Sequence, residues 1–200
     1  MPFPDESFDH LFVCFVLEHL PAPEKALARL SRLLRPGGTI TVIEGDHGSA
    51  IYHPRSAYAQ AAIDCLVRLQ ADVGGDALIG RRLFPLLDTA GYAEIAVRPR
   101  TVYADPSRPE LVEGFTRTTF TAMVEGVGEA AVSRGLISAE DWARGIADLR
   151  RTENGTFHYV FFKATAKRRA EKGGSSSTGR WRAAPTSRTA TSSGSTRTCG

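Results

Sequence analysis

The sequence predicts an α/β fold, and three adjoining segments carry that expectation. Leu11 to Leu17 is a seven-residue apolar run rich in Phe and Val. It suits a strand buried on both faces, as in a parallel sheet under helices. From Lys25 to Arg35, Leu27, Leu30, Leu33 and Leu34 recur at spacings of three and four, with Lys and Arg between. That is one apolar stripe of an amphipathic helix. Glu24 leads this helix and Arg35 ends it, as the helix dipole prefers. Pro36-Gly37-Gly38 then stops it, and Thr39 to Glu44 is short, apolar and β-branched, hence a second strand. Strand, helix and strand with tight joints form a βαβ unit, which makes the two strands parallel.

Downstream, residues 45–49 read as a loop at the carboxyl end of the second strand. Helices are predicted over 56–72 and 77–90, separated by Gly74-Gly75. Residues 94–103 alternate weakly and contain Pro99, which predicts a bent or edge strand. Residues 109–132 and 138–151 look helical, and Ser138-Ala139-Glu140-Asp141 supplies a cap and an acidic first turn for the latter. After the Asn154-Gly155 turn, Thr156 to Ala164 is a strong final strand.

Composition narrows the class. The 200 residues are 42% hydrophobic and 24% charged, ordinary for a soluble globular chain. No apolar run approaches the roughly 20 residues of a membrane span, and the N-terminus resembles no secretory signal. Cys14, Cys65 and Cys199 are odd in number and widely spaced, which suits free thiols in a reducing cytoplasm. The formal charge of +3 is unevenly spread. Residues 166–200 hold eight Lys or Arg and one acid, leaving 17 basic and 21 acidic side chains in the rest. The body, 1–165, is therefore mildly acidic, and 166–200 is a basic Ser/Thr/Arg-rich tail without periodicity, predicted to be disordered. A basic stripe on the folded body is missing, so a nucleic-acid-binding role is disfavoured. Were the tail to bind nucleic acid, that binding would be salt-sensitive.

Four pieces recur in a recognisable order: Pro2-Phe3-Pro4-Asp5-Glu6-Ser7-Phe8-Asp9, Val16-Leu17-Glu18-His19-Leu20, Leu33-Leu34-Arg35-Pro36-Gly37-Gly38, and the strand Thr39 to Glu44. Together they resemble the second half of the core of class I S-adenosylmethionine (SAM)-dependent methyltransferases. The resemblance covers 1–46 in motif and roughly 1–165 in topology. It implies an incomplete Rossmann-like sheet, strands four to seven of the family with the last one antiparallel, and helical cover insertions. It implies SAM as cofactor and methyl transfer as the reaction. The family's glycine-rich cofactor loop and its ribose-binding acid would lie upstream of residue 1. The chain is accordingly expected to be N-terminally truncated, with its cofactor-binding half absent and its activity impaired.

Candidate site residues follow from the rule that ligands of open α/β sheets sit beyond the carboxyl ends of the strands. At the first strand end, the resemblance places Phe15, Val16 and Glu18 near the methionine part of SAM. His19 suits a general base, since imidazole as a side-chain type exchanges a proton near neutral pH. At the second strand end, His47 is a catalytic candidate and Asp46 a substrate-binding one. The run Glu44, Asp46 and His47 also hints at a metal, but His53 offers no clear fourth position, so none is expected. Tyr52 and Tyr58 are candidate substrate contacts from the helical insertions, with Arg117, Phe120 and Met123 as further pocket residues. The acidic body favours a small-molecule acceptor. The alternative reading is a non-catalytic remnant or subunit that pairs a bare edge of the first strand with itself or another chain.

Overall fold

A computed structural model describes residues 3–169. Four strands form one mixed sheet: β1 (Phe8–Cys14), β2 (Leu34–His53), β3 (Tyr92–Ala104) and β4 (Thr156–Arg168), in spatial order β1-β2-β4-β3. β1 and β2 run parallel, joined by helix α1 (Pro23–Leu33) as predicted, and β4 is antiparallel to both its neighbours. Pro99 lies on β3, which is an edge strand, as expected for a residue that donates no ladder hydrogen bond. β4 extends through Arg168, beyond the predicted domain end at 165. Lys167 pairs with Glu94 at 2.6 Å and Arg168 with Glu6 at 3.0 Å. The remainder of the basic tail, from 170 on, lies outside the described residues.

Two cores flank the sheet. The first packs α1 and α3 (Leu83–Thr89) over alternate residues of the strands: Val13, Ile40, Val42, Ala164 and Ala166 meet Leu27, Leu83 and Leu87. Tyr92 is buried there and its hydroxyl donates to the Leu27 carbonyl at 3.1 Å. Burial alone raises the Tyr92 phenol well above its ordinary pKa. The second core lies under a helical cover of α2 (Ala57–Asp72), α7 (Ala139–Arg151) and the segment between β3 and α7, closing on Tyr52, Phe157 and Tyr159. Ser56 caps α2, accepting from the Tyr58 and Ala59 N–H groups at 3.2 Å each, and its hydroxyl donates to Asp148 of α7 at 2.6 Å. Ser138 caps α7 through the Asp141 N–H, as its sequence promised.

Four expectations are corrected. The first strand ends at Cys14 rather than Leu17, because Phe15 adopts φ of 51° and turns the chain. That strand is covered on one face only: Val13 is buried while Phe12 is 62% exposed. Among the described residues nothing pairs with its outer edge. The predicted loop at 45–49 lies inside β2, where pairing with β4 breaks between Asp46 and Ile51. Ser49 fills the gap: its hydroxyl donates to the Asp46 carbonyl and accepts from the Val160 N–H at 2.9 Å. The helix predicted over 109–132 is interrupted. It opens as α4 (Pro109–Leu111), loosens into a π-helix (Val112–Thr121), tightens as α5 (Ala122–Glu125), and restarts as α6 (Gly128–Ser133).

The 3₁₀ turn Ile79–Arg82 wedges the entry to α3 against the sheet at Gly80. A Cβ there would lie 2.6 Å from the Gly45 carbonyl oxygen, 2.9 Å from that of Glu44 and 2.8 Å from the Phe162 ring. Two of those neighbours are backbone and have little freedom to move. Gly80→Ala is expected to destabilise the chain by about 1–3 kcal/mol, the usual cost of overpacking. Urea denaturation of the two proteins measures it; an unchanged midpoint would contradict the wedge.

Candidate functional site

The carboxyl ends of the parallel pair β1 and β2 are tied together by one carboxylate. After Cys14 the Phe15 N–H still reaches the Ile43 carbonyl at 2.9 Å. The chain then enters a 3₁₀ turn, Leu17–His19, whose first N–H groups have no partner within the turn. Glu44 of β2 supplies one: its Oε1 accepts from Val16 N–H at 3.1 Å and Leu17 N–H at 2.8 Å. Glu44 is fully buried. Burial pushes its carboxyl pKa up, the amide donors pull it down, and the nearby Glu18 charge raises it further. Glu44 Oε2 and Glu18 Oε2 are both buried without a hydrogen-bond partner.

Beside this pair lies an imidazole. His47 is buried, with Nδ1 at 2.9 Å from the Tyr159 hydroxyl and Nε2 at 3.4 Å from Glu18 Oε2. Its backbone N–H donates to the Ala77 carbonyl at 2.9 Å. Burial lowers the His47 pKa, while Glu18 and Asp46 work against that shift and His19 adds to it. Tyr159 is buried too, and burial drives its phenol pKa upward. A Cβ at Gly45 would overlap the Tyr159 hydroxyl, so the glycine is what admits that oxygen to the strand end. The π-helix contributes two aromatic rings five residues apart. Phe115 and Phe120 lie 5.3 and 5.6 Å from the Tyr159 ring, and Phe120 also meets His47 edge-on at 6.3 Å. The wider π turn is what brings residues i and i+5 to one side.

Asp46 is buried and held by Arg81, whose Nε and Nη2 donate to its two carboxylate oxygens at 2.9 and 2.6 Å. This bidentate pair fixes the strand end and leaves Asp46 little freedom to meet a substrate. The remaining predicted residues separate into groups. Phe15 and Val16 are 47% and 46% exposed at the tip of β1, open to a ligand. His19 is exposed beside them, its Nε2 3.6 Å from Glu18 Oε1. Glu18 turns inward, away from that surface. Its carbonyl accepts from Asp76 N–H at 2.8 Å and from the Gln70 side chain at 3.1 Å, which clamps the turn from below. Tyr52 is buried and stacks on Phe157. Tyr58 lies under Arg144, 4.0 Å from its ring, and lines an open groove of about 920 Å³ with residues of the 132–141 segment. Arg117 is engaged by Glu153 and Glu113, and Phe120 belongs to the cluster around His47. Among the described residues no three His, Cys, Asp or Glu side chains converge on a metal position.

Sequence reasoning did not single out Tyr159 or Arg81. The first sits in an aromatic run whose alternation announces a strand but not a hydroxyl's partner. The second is one of two adjacent arginines in a helical segment. The depressed His47 pKa has a measurable consequence. Below about pH 6.5 the unfolded chain takes up a proton that the folded His47 withholds, so stability falls as pH falls. Glu44, with its raised pKa, acts in the opposite sense, contributing stability that is lost as pH rises through its folded value. Comparing chains that differ only at residue 47 isolates the imidazole. Between pH 7.5 and 5.5, His47→Gln is expected to lose less stability than the parent, by at most about 1.4 kcal/mol per pH unit. Parallel pH slopes of the urea midpoints would refute it.

Comparison with known proteins bears on what this cluster belongs to. Residues 1–42 match the model of a methyltransferase domain family. A 37.1-kDa protein in transposon Tn4556 of Streptomyces fradiae is 34% identical over 140 residues, covering 67% of this chain and 39% of that protein. The ubiquinone/menaquinone biosynthesis C-methyltransferase of Citrobacter koseri is 37% identical over 78 residues, 38% of this chain and 30% of the enzyme. The chain thus spans well under half the length of the curated relatives it matches. Among solved structures, the YcgJ protein of Bacillus subtilis aligns over 84% of this chain and 67% of its own at 14% identity, with a TM-score of 0.47. The segment that is similar to the methyltransferase domain family thus begins at the first residue and ends within β2.

Proposed function

We propose that this chain provides part of the site of a SAM-dependent methyl transfer to a small-molecule acceptor. The observation that carries the reading is a coincidence of motif and geometry. The segment that matches the methyltransferase domain family ends in β2, and the tip of β1, where its parallel pairing with β2 ends, presents an exposed surface at Phe15 and Val16 backed by buried acids. Crevices of open α/β sheets form at such tips. Bound there, SAM supplies an electrophilic methyl group.

The residues present fit one portion of the cofactor. Phe15 and Val16 offer an apolar seat, with Phe15 raised out of the strand by its left-handed backbone. The Glu18 carboxylate faces inward, so it serves the cofactor only through the fold of its turn. Among the described residues no glycine-rich turn leads from a strand into a helix N-terminus, the usual source of close backbone N–H donors. Affinity of this chain alone for SAM is therefore weak and its turnover impaired. At the acceptor, His19 is the exposed imidazole nearest the tip, and it takes the proton that an attacking hydroxyl or amine releases as its new bond to carbon forms. Alignment of acceptor and methyl group remains the larger contribution.

A second reading rests on the edge of β1, open among the described residues, and on Phe12, 62% exposed on the face that none of the described helices covers. Such an edge invites strand pairing with a second chain, either a copy or a separate subunit. Size-exclusion chromatography over a range of concentrations tests it: a defined complex supports a pairing subunit, and a monomer at all concentrations removes it.

The cofactor reading is tested by amide NMR titration with S-adenosylhomocysteine. Shifts are expected at Phe15, Val16 and His19, saturating only near millimolar ligand, about −4 kcal/mol of binding. No shift at these residues would overturn the seat, and a micromolar Kd would overturn the impairment.

A further inference from the structure

We propose that the solvent-facing side of β3 and β4 carries a binding site for a phosphoryl group, as the free ion or at the end of a small molecule, built from Arg98, Arg100, Lys163 and Thr165. Side chains alternate between the two faces of a strand. Ala96, Arg98 and Arg100 of β3 therefore share one face, and the register places Thr165 of β4 opposite Ala96 and Lys163 opposite Arg98. The reverse face holds Val97 and Ala164, which pack in the core with Leu83 and Leu87. Ala96, Arg98, Arg100, Lys163 and Thr165 line one open depression of about 270 Å³, near the lower end of ligand-pocket sizes. Beyond one end, Phe161, the partner of Arg100, packs into the second core. Beyond the other, Lys167 is occupied by Glu94.

The charges in this depression are unanswered from within the fold. Arg98 and Lys163 stand directly opposite each other, a like-charge cross-strand pair that costs a sheet stability. Arg100 adds a third cation on the same face. Among the described residues none of the three pairs with a carboxylate, whereas Lys167, further along β4, meets Glu94 at 2.6 Å. The chemistry of the donors names the ligand. Arg and Lys side chains donate and never accept, and the Thr165 hydroxyl is free to donate as well. The site therefore takes a ligand that only accepts. Three positive charges suit a doubly charged oxyanion better than the single charge of a carboxylate, and guanidinium forks match phosphate oxygens. A phosphate monoester, with its second pKa about 6, is mostly the dianion above neutral pH. β2 lies between this site and β1, so the site is separate from the seat at Phe15 and Val16 and does not rest on the methyl-transfer reading.

The test is amide NMR on the 200-residue chain, slightly above neutral pH and at about 0.1 M salt, where surface attraction is screened beyond about 10 Å. One series adds inorganic phosphate and the other glycerol 3-phosphate. Saturating shifts are expected at Ala96, Arg98, Lys163 and Thr165 and not at Phe15 or Val16, with a Kd on the order of 1 mM. Tighter binding of glycerol 3-phosphate assigns the site to an ester end, and tighter binding of inorganic phosphate assigns it to the free ion. Lys163→Gln is expected to weaken binding by about tenfold, the loss of one charge-assisted hydrogen bond. Arg68→Gln removes the same charge from an exposed position on α2 and is expected to leave binding unchanged. Stability supplies a second readout. With no ligand, Lys163→Gln relieves the repulsion across the ladder and is expected to raise the urea midpoint in dilute buffer; added phosphate is expected to raise the midpoint of the parent more than that of the variant. Shifts that follow the chain's cations generally without saturating, equal weakening by Arg68→Gln and Lys163→Gln, or a phosphate effect on stability that is the same in parent and variant would each overturn the site.

Discussion

The Glu44 carboxylate is the constraint on which the rest of the strand-tip architecture depends. It stands in a parallel strand, fully buried, and offers one oxygen to two amides of the neighbouring chain. A buried carboxylate without donors would neutralise itself or unfold its surroundings. With these donors it serves as a side-chain cap for the 3₁₀ turn that follows β1, the same service that Ser and Asp perform at helix starts. Because the cap comes from β2 rather than from the turn itself, the direction of Leu17–His19 is set by the sheet. Glu18 and His19 then fall on opposite sides of that turn, one inward and one outward.

Burial has an electrostatic consequence. The Glu18 charge raises the cost of ionising Glu44, and each acid keeps one oxygen without a partner. Natural folds tolerate such atoms sparingly. Here the nearest compensation is the His47 edge, 3.4 Å from Glu18, and the bidentate clamp of Arg81 on Asp46 two residues along β2 from Glu44. A strand end that holds three buried acids and an imidazole is thus kept by hydrogen-bond direction more than by apolar packing. The apolar part, Phe115 and Phe120 from the helical cover and Tyr159 from β4, closes the cluster to water.

Much of the scaffold was legible in the sequence. The leucine spacing of α1, the Pro-Gly-Gly stop and the β-branched run of β2 are local signals with local causes, and they placed the parallel pair correctly. Ser56 and Ser138 cap the helices that follow them, and Pro99 marks an edge. What escaped notice depends on long-range contact. Phe15 was counted into the first strand because its side chain is apolar, while its backbone takes a left-handed turn into a segment capped by Glu44, 28 residues from Val16. The bulge in β2 exists because Ser49 can replace a ladder partner from β4, more than 100 residues later. The π-helix could not be read from periodicity at all, since its sequence scans as an ordinary amphipathic helix.

The candidate site divides along the same line. Of the residues chosen by their place at a strand end, Phe15, Val16, Glu18 and His19 follow the tip of β1, while Asp46 and His47 lie inside β2, just past its parallel pairing with β1. Residue type alone did not say which of them face solvent. Glu18 and Asp46 are held inward by partners that the sequence separates widely, Gln70 and Arg81. Tyr159 was invisible for the opposite reason: a tyrosine in a Phe-rich strand looks like core until its hydroxyl finds an imidazole. That hydroxyl is accommodated only because residue 45 has no side chain, and Gly45 in turn lies one residue beyond the capping carboxylate of Glu44. Two adjacent positions of one strand therefore perform two tasks, holding the outer turn and admitting the inner ring.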